Sequence, residues 1–366
     1  MIFTVITTLL ACYTVFVAVL LASLMKSSNA PSSGMNGPAG VSIIIPFRNE
    51  ARHLPSLLAS LAGQEYSGQW EVLLVNDGSS DNYRDAAAAF QGDFPARLRI
   101  IDSVFDKSLH LTSKQQALDK GVNEARFEWC VFSDADMSFD KDWLASWAAQ
   151  AIPGADFIFG HTTVTGRGPF AWAQRFQLAF LFAAAYSFHK AGIAGSCMGN
   201  NLLIRKKAYV ALGGQAKIGY SIVEDRDLYR AFKRHGYSVE SAVPFSAKAS
   251  TLPCATFGQF YFQMIRWARG GFSFTSALLP AGLLLTVQNF AFLTALFGLL
   301  PFSSSIVCIA NFLLTMFYLQ SAFKKMNSLE SAFLFPVYYP VMLFETVVLL
   351  FSFFITPKAE WKGRKL

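Results

Sequence analysis

The sequence predicts a mixed α/β domain on a parallel sheet, tied to a membrane by one N-terminal and about three C-terminal helices. Three observations carry this. Short apolar runs alternate with helix-like stretches between residues 41 and 133. Two long runs hold no charged side chain: Ile2 to Met25, 24 residues, and Gly270 to Phe323, 54 residues. Of the 366 residues, 53% are hydrophobic, 36 are Phe and only 15% are charged, yet the net charge is +7. A typical soluble domain is about a quarter charged, so lipid is expected to replace water over part of this surface. The balance excludes a disordered chain, a coiled coil, a collagen-like chain and a small disulfide scaffold.

Ile2 to Met25 is long enough to cross about 30 Å of hydrocarbon. No Lys or Arg precedes it, and a signal peptide would carry a shorter apolar region of about 7–15 residues. Residues 1–25 therefore read as an anchor. Residues 26–40, rich in Ser, Gly, Pro and Asn, read as a linker. A domain follows over 41–254. Its strands are expected at Val41–Pro46, Glu71–Asn76, Leu98–Asp102 and Trp129–Ser133, its helices at 51–62, 81–91 and 112–125. This βαβαβαβ spacing predicts a parallel sheet with helices on both faces. No GxGxxG follows the first strand, which disfavours a dinucleotide-binding domain. Phe170–Lys190 is apolar with few charges and reads as an interfacial helix in preference to a buried one.

Residues 255–272 form an amphipathic segment beside the membrane region 273–357. One helix of 54 residues would be about 80 Å long, too long for a single crossing. The segment Pro301-Phe302-Ser303-Ser304-Ser305 is expected to turn between spans at 279–300 and 303–323. Ser331–Pro357, whose one charge is Glu345, is expected to hold a third span, and 358–366 is a basic tail.

Lys26, Arg48 and Arg52 follow the first span, so the positive-inside rule places residues 26–270 in the cytoplasm. Lys324 and Lys325 agree after two more crossings; Lys358, Lys362, Arg364 and Lys365 disagree after a third. The expected location is the inner, cytoplasmic membrane, with several passes. Cys12, Cys130, Cys197, Cys254 and Cys308 are scattered and read as free thiols of a reducing compartment. The basic residues form no dense patch with aromatic platforms, so nucleic acid is not an expected partner. The excess charge fits anionic inner-leaflet lipid and an anionic substrate.

In open α/β sheets the ligand lies beyond the carboxyl ends of the strands. Strand ends here carry Pro46-Phe47-Arg48-Asn49-Glu50, then Asn76-Asp77-Gly78-Ser79-Ser80-Asp81, then Asp134-Ala135-Asp136. Two carboxylates two residues apart suit one hard divalent cation. Ser79 or Ser80 is suited to capping the next helix, with Asp81 in its first turn. Asp77 serves either that turn or a base or ribose. His53, His110, His161, His189 and His235 are isolated and receive no role.

Together these pieces resemble the membrane-associated family 2 glycosyltransferases of GT-A fold. Ser42-Ile43-Ile44-Ile45-Pro46-Phe47-Arg48-Asn49-Glu50 resembles the opening strand motif, and Val75-Asn76-Asp77-Gly78-Ser79 the nucleotide-binding acidic motif. Lys114-Gln115-Gln116-Ala117-Leu118 with Gly121 resembles the lysine-led helix. Asp134-Ala135-Asp136 resembles the DxD motif, and Gly199-Asn200-Asn201-Leu202-Leu203-Ile204-Arg205 through Gly213-Gly214 the acceptor-side loop. Glu224-Asp225 resembles the ED motif, although Val223 stands where the family often has Thr. Gln263-Met264-Ile265-Arg266-Trp267 is a full QxxRW.

The resemblance implies a nucleotide-diphosphate sugar donor bound through Pro46, Arg48, Glu50, Asp77, Lys114 and Asp134. It implies Mg²⁺ or Mn²⁺ on Asp134 and Asp136, and Asp225 as general base, with Glu224 as the alternative. Arg266 is placed near the diphosphate, Trp267 against the acceptor, and Gln263 beside them. About four spans with few polar groups make a poor polysaccharide channel. Inverting transfer of one sugar to a lipid-like acceptor in the bilayer is therefore the expected activity. A processive polysaccharide synthase is the runner-up, and an inactive membrane scaffold the alternative of another class.

Overall fold

The computed structural model of the chain describes residues 2–26, 40–90, 92–151, 154–193, 195–242, 247–271, 278–326 and 339–348, with 360–361 and 364–365 near the end. From the N-terminus the elements are α1 (Ile2–Met25), β1 (Gly40–Phe47), α2 (Leu54–Ala62), β2 (Gln69–Asn76), α3 (Tyr83–Ala88), β3 (Arg97–Asp102), α4 (Ser113–Glu124) and β4 (Trp129–Ser133). Next come β5 (Met137–Phe139), α5 (Trp143–Gln150), β6 (Phe157–Phe159), β7 (Thr162–Val164), α6 (Pro169–Lys190), β8 (Asn201–Arg205), α7 (Lys206–Leu212) and α8 (Gly214–Ile218). Then follow α9 (Glu224–Arg234), β9 (Val239–Ser241), β10 (Ala249–Thr251), α10 (Phe257–Gly271), α11 (Leu278–Leu296), α12 (Phe302–Lys325) and α13 (Tyr339–Val348). Glu360–Trp361 and Arg364–Lys365 pair as β11 and β12.

Every residue of β1, GVSIIIPF, is buried. An unbroken apolar run of this kind suits a strand covered on both faces. It lies within a seven-stranded sheet of order β3-β2-β1-β4-β8-β6-β9. β3, β2, β1 and β4 run parallel, as the spacing of their runs predicts. The other half corrects the parallel expectation: β8 is antiparallel to both β4 and β6. Asn201, the first residue of β8, pairs with Ser133, the last of β4. The chain therefore re-enters the sheet at the edge where β4 leaves it. This sets Gly199 and Asn200 beside the loop after β4. A second sheet, β5-β10-β7, packs nearby.

Alternate strand residues feed two cores. Ile43, Ile45, Val72 and Leu74 pack with Leu57, Leu58 and Trp147 of α2 and α5. Ile44, Leu73, Val75 and Phe132 pack on the opposite face with α4, α6 and α9. A capping box starts α4: the Thr112 side chain accepts from the Gln115 N–H, and Gln115 Oε1 accepts from the Thr112 N–H. At Gly121 a Cβ would meet Ile44 Cγ2 at 2.4 Å, so only glycine lets α4 lie this close to β1.

The second core does not stop at the sheet domain. It continues through Phe182 and Tyr186 of α6 into Tyr13, Val17 and Leu20 of α1 and Tyr318, Leu319 and Phe323 of α12. This corrects the interfacial reading of Phe170–Lys190. Phe176, Phe182 and Phe188 are buried, and only the start and one flank of the helix expose Phe170, Trp172 and Leu181. The apolar character of α6 comes from burial against two other helices.

Helices α1, α11 and α12 are long and apolar enough to cross a membrane. They expose large side chains on their outer faces, among them Phe3, Val15, Leu283, Phe290, Ile309 and Phe317. Polar groups turn inward. Thr14 Oγ1 donates to Asn311 Oδ1 at 2.6 Å, and Asn311 Nδ2 donates to the Leu10 carbonyl at 2.9 Å and to Gln288 Oε1 at 3.1 Å. Tyr13 OH and Thr315 Oγ1 share a hydrogen bond of 2.9 Å. The turn between α11 and α12 begins earlier than expected, with Gly298 at φ 67. Of the expected third span, 339–348 is helical; its remainder, the linker and most of the basic tail lie outside the described residues.

Candidate active site

Three strand ends build one edge. After β1 the chain turns through Asn49 at φ 53, a left-handed conformation that asparagine tolerates. The Asn49 N–H donates to Ser79 Oγ at 3.0 Å, the Ser80 N–H to Asn49 Oδ1 at 2.8 Å, and the Ala51 N–H to Asp81 Oδ2 at 2.7 Å. Ser79, Ser80 and Asp81 thus tie two loops together. Asp77 is 2% exposed. Burial pushes its carboxyl up, while Ser113 and the Arg48 charge pull it back. Arg48 Nη1 reaches the Asp77 carbonyl at 3.4 Å.

Glu50 is also buried and shares a hydrogen bond with His53 Nδ1. Burial and the Arg52 charge push the His53 imidazole down, against the opposing charge of Asp136.

Lys114, on the first turn of α4, joins two of the acidic motifs. Its Nζ lies 2.9 Å from Asp134 Oδ1 and 3.0 Å from Glu224 Oε1. Burial opposes its charge, but the two carboxylates outweigh that and hold the ammonium well above the usual lysine value. Asp136 has no such cation paired with it among the described residues. Burial and the neighbouring Asp134 both push its carboxyl up.

Asp225 sits on the first turn of α9. Its Oδ2 accepts from the Gly199 N–H at 2.6 Å and its Oδ1 from the Arg226 N–H at 2.7 Å. Burial first and the Glu224 charge second raise its carboxyl to about 6; Lys114 and the two N–H groups restrain the rise. Two fixed donors orient the carboxylate, and its raised value makes it an effective proton acceptor near neutral pH.

A cavity of about 1650 Å³ gathers these groups. Its wall includes Pro46, Glu50, Lys114, Asp134, Asp136, Glu224 and Asp225 from the domain, and Gln263, Arg266 and Trp267 from α10. Arg48 and Asp77 are not on that wall but are linked to each other. Gln263 Oε1 accepts from Cys254 Sγ at 3.5 Å. His53 lines the cavity and was not singled out by its sequence context; the Glu50-to-His53 spacing of one helical turn was the available signal. The cavity also runs between the candidate spans, past Val17, Leu20, Leu285, Met342 and Glu345.

Asp134 and Asp136 fit a hard divalent ion. They lie on one wall, Asp136 carries a charge that burial and its neighbour penalise, and among the described residues no third His, Cys, Asp or Glu completes a cage. Two carboxylates with room for water and phosphate oxygens suit Mg²⁺ or Mn²⁺ better than a metal wanting a full protein shell.

Solved and curated proteins agree with the fold. A mannosyltransferase from Pyrobaculum calidifontis, in complex with GDP-Man and Mn²⁺, superposes with a TM-score of 0.55 at 16% identity, covering 96% of this chain and 100% of that one. The poly-beta-1,6-N-acetyl-D-glucosamine synthase of Staphylococcus epidermidis is 24% identical over 243 residues, 63% of this chain and 54% of that protein. A PGL/p-HBAD biosynthesis glycosyltransferase of Mycobacterium bovis is 34% identical over 154 residues, 41% of this chain and 57% of that protein. The chain spans little more than half the length of these curated relatives. Where the motifs pointed to family 2, the profile that matches is that of glycosyl transferase family 21, and it extends over residues 3–366. With a GT-A-like fold and its DxD, ED and QxxRW motifs gathered on one cavity, the chain belongs to glycosyl transferase family 21.

Proposed function

We propose that this glycosyltransferase moves one sugar from a nucleotide-diphosphate donor to a lipid hydroxyl presented from the membrane, with inversion at the anomeric carbon. One observation carries the reading: the cavity that holds the DxD and ED carboxylates continues between α1, α6, α11, α12 and α13. A soluble acceptor has no need of such an arm, whereas a lipid needs apolar walls leading to the reacting end. The exposed apolar faces of the three spans, and the basic residues at the cytoplasmic ends expected for them, support a domain held at the inner face of a cytoplasmic membrane.

In this reading the donor lies along the strand ends. Pro46, Arg48, Glu50 and Asp77 hold the nucleoside side, and Arg266 faces the diphosphate. Asp134 and Asp136 would hold the divalent cation, which supplies Lewis-acid stabilisation to the leaving diphosphate. Lys114 adds a fixed positive charge beside Asp134. Asp225 takes the proton from the acceptor hydroxyl as its oxygen attacks the anomeric carbon opposite the departing diphosphate. A single base with in-line attack inverts that centre. Glu224 is the weaker candidate because Lys114 already neutralises it at 3.0 Å. Trp267 and Gln263 border the acceptor.

The relative named a poly-beta-1,6-N-acetyl-D-glucosamine synthase favours the second reading, a processive synthase. Membranes containing the full chain, supplied with labelled nucleotide sugars, separate the two. Label in the organic phase at the mass of lipid plus one sugar supports the proposal; a ladder of long water-soluble polymer overturns it. Loss of transfer in Asp136→Asn and Asp225→Asn distinguishes a working enzyme from an inactive scaffold.

A further inference from the structure

We propose that Asn200 is a sugar-positioning residue: its side-chain amide N–H donates to a hydroxyl of the sugar being transferred and sets that sugar between the DxD carboxylates and the base. This rests on the roles proposed above for Asp134, Asp136 and Asp225, and it holds for a lipid or a polymer acceptor alike.

Two consecutive asparagines are used differently. Asn201 is fully buried, and its whole amide is spent inside the fold. Its Oδ1 accepts from Trp143 Nε1 and Trp147 Nε1, both at 3.1 Å, and its Nδ2 donates to the carbonyls of His161 at 2.9 Å and Ala247 at 2.6 Å. Asn200 is half-buried and lines the cavity. Its Oδ1 accepts from Thr162 Oγ1 at 2.8 Å. Its Nδ2 donates to nothing among the described residues, yet it is not one of the polar atoms shut off from water. A primary amide carries two N–H donors, and both stay open here.

The backbone around this amide is tied to both halves of the site. The Asn200 carbonyl accepts from Ser133 Oγ at 3.1 Å, and Ser133 immediately precedes Asp134. Gly199, on its other side, gives its N–H to Asp225 Oδ2 at 2.6 Å. Asp134, Asp136, Thr162, Asn200 and Asp225 all line the one cavity. In an in-line displacement the anomeric carbon lies between the departing diphosphate oxygen and the acceptor oxygen that Asp225 deprotonates. The sugar ring on that carbon therefore occupies the space between these two anchors, beside Asn200.

A sugar entering this space exchanges water for protein partners. Ionised carboxylates only accept hydrogen bonds, so they serve its O–H protons and leave the hydroxyl oxygens wanting donors. Lys114 is already held by Asp134 and Glu224 at 2.9 and 3.0 Å. The Asn200 amide supplies the missing donor, and the Thr162 hydroxyl fixes it beforehand, so that little ordering is left to the moment of binding. A nucleotide sugar without a hydroxyl at that place leaves the contact unmade, which favours the sugar that has one.

The test uses the full chain in mixed micelles, the labelled nucleotide sugar it accepts, total membrane lipid extract as acceptor, and the matching nucleoside diphosphate as a competitor without the sugar. Asn200→Ala should raise the half-saturating concentration of the nucleotide sugar about tenfold. Inhibition by the nucleoside diphosphate should stay within twofold of wild type. Thr162→Val, which removes the hydroxyl that holds Oδ1, should give a smaller shift of the same kind. A nucleotide-sugar half-saturation equal to wild type in Asn200→Ala, or equal shifts for nucleotide sugar and nucleoside diphosphate, overturns the proposal. A shift confined to the lipid extract also overturns it, because the amide would then serve the acceptor. If Asn200→Ala fails to fold, Thr162→Val decides it: an unchanged nucleotide-sugar half-saturation there overturns it. Transfer lost in Asp136→Asn and Asp225→Asn, with wild-type kinetics in Asn200→Ala, sinks this inference alone. Transfer retained in those two carboxylate variants sinks the site reading and this inference together.

Discussion

Gly199 donates its backbone N–H to Asp225 Oδ2 at 2.6 Å, and a Cβ on Gly199 would meet that same oxygen and Asp225 Cβ at 2.6 Å. The loop before β8 and the first turn of α9 are thus pressed together at one point, and the carboxylate proposed as base is aimed by that contact. Gly199→Ala should push Asp225 off its position and lower transfer at least tenfold, since small misplacements of a reacting group are costly, about 10²-fold for 1 Å. The thermal midpoint should change little. Asp225→Asn should cost more, within the usual 10²–10⁴-fold of a general base. Nucleotide diphosphate release gives both rates. A larger loss in Glu224→Gln than in Asp225→Asn would transfer the base role to Glu224.

The raised Asp225 carboxyl, at about 6, predicts a pH profile. Transfer should fall roughly tenfold per unit below about pH 6 and level off above it, because the base works deprotonated. The stability effect has the opposite sense. The folded value lies above the ordinary 3.8, so the folded chain binds the extra proton between those limits. This group therefore favours folding below about pH 4 and withdraws that support as pH rises through 6. At pH 7, Asp225→Asn should lower transfer within that general-base range, and its thermal midpoint should no longer carry the pH dependence that this carboxyl adds between about pH 4 and 6. A pH profile flat down to 5 in the wild type would contradict the assignment.

Much of this site was legible in the sequence because it sits on short loops after buried strands. The runs SIIIP and VLLVN announce strands by their apolar residues, and the polar residues that follow each run must then share one edge. The spans were legible from missing charges. What the sequence did not announce depends on contacts far apart in the chain. Asn201 pairs with Ser133, which reverses β8, and no local pattern in NLLIR distinguishes a parallel from an antiparallel strand. α6 has the composition of an interfacial helix, but its neighbours α1 and α12 come from opposite ends of the chain. His53 gained its place from Glu50 and Asp136, one of them more than 80 residues away. Pairing of Lys114 with both Asp134 and Glu224 was equally out of reach of the motifs read singly.

Metal removal gives a direct test of the Asp134 and Asp136 assignment. After treatment with a chelator and desalting, the protein should lose transfer, and Mg²⁺ or Mn²⁺ should restore it. Asp136→Asn should raise the half-saturating metal concentration tenfold or more. Asp134→Asn should do so and also release Lys114 from one of its two partners, 2.9 Å away. Full activity of the chelated wild type would remove the cation from the reaction.

Asn311 should hold the N-terminal helix to the rest of the bundle. It is 1% exposed, accepts from Thr14 and donates to the Leu10 carbonyl and to Gln288 Oε1, so one amide links α1, α11 and α12. Hydrogen bonds between helices in lipid are each worth about 0.6–2 kcal/mol, so Asn311→Leu should remove roughly 1–3 kcal/mol while nearly conserving volume. The expected result is a thermal midpoint several degrees lower in micelles. Because Tyr13, Val17 and Leu20 of α1 also line the cavity, loosening this helix should raise the half-saturating lipid concentration more than that of the donor. A lower midpoint with donor and lipid affected alike would mean that α1 supports the domain as a whole. An unchanged midpoint would mean that the apolar contacts of Tyr13, Val17 and Leu20 with the shared core hold α1 without the amide.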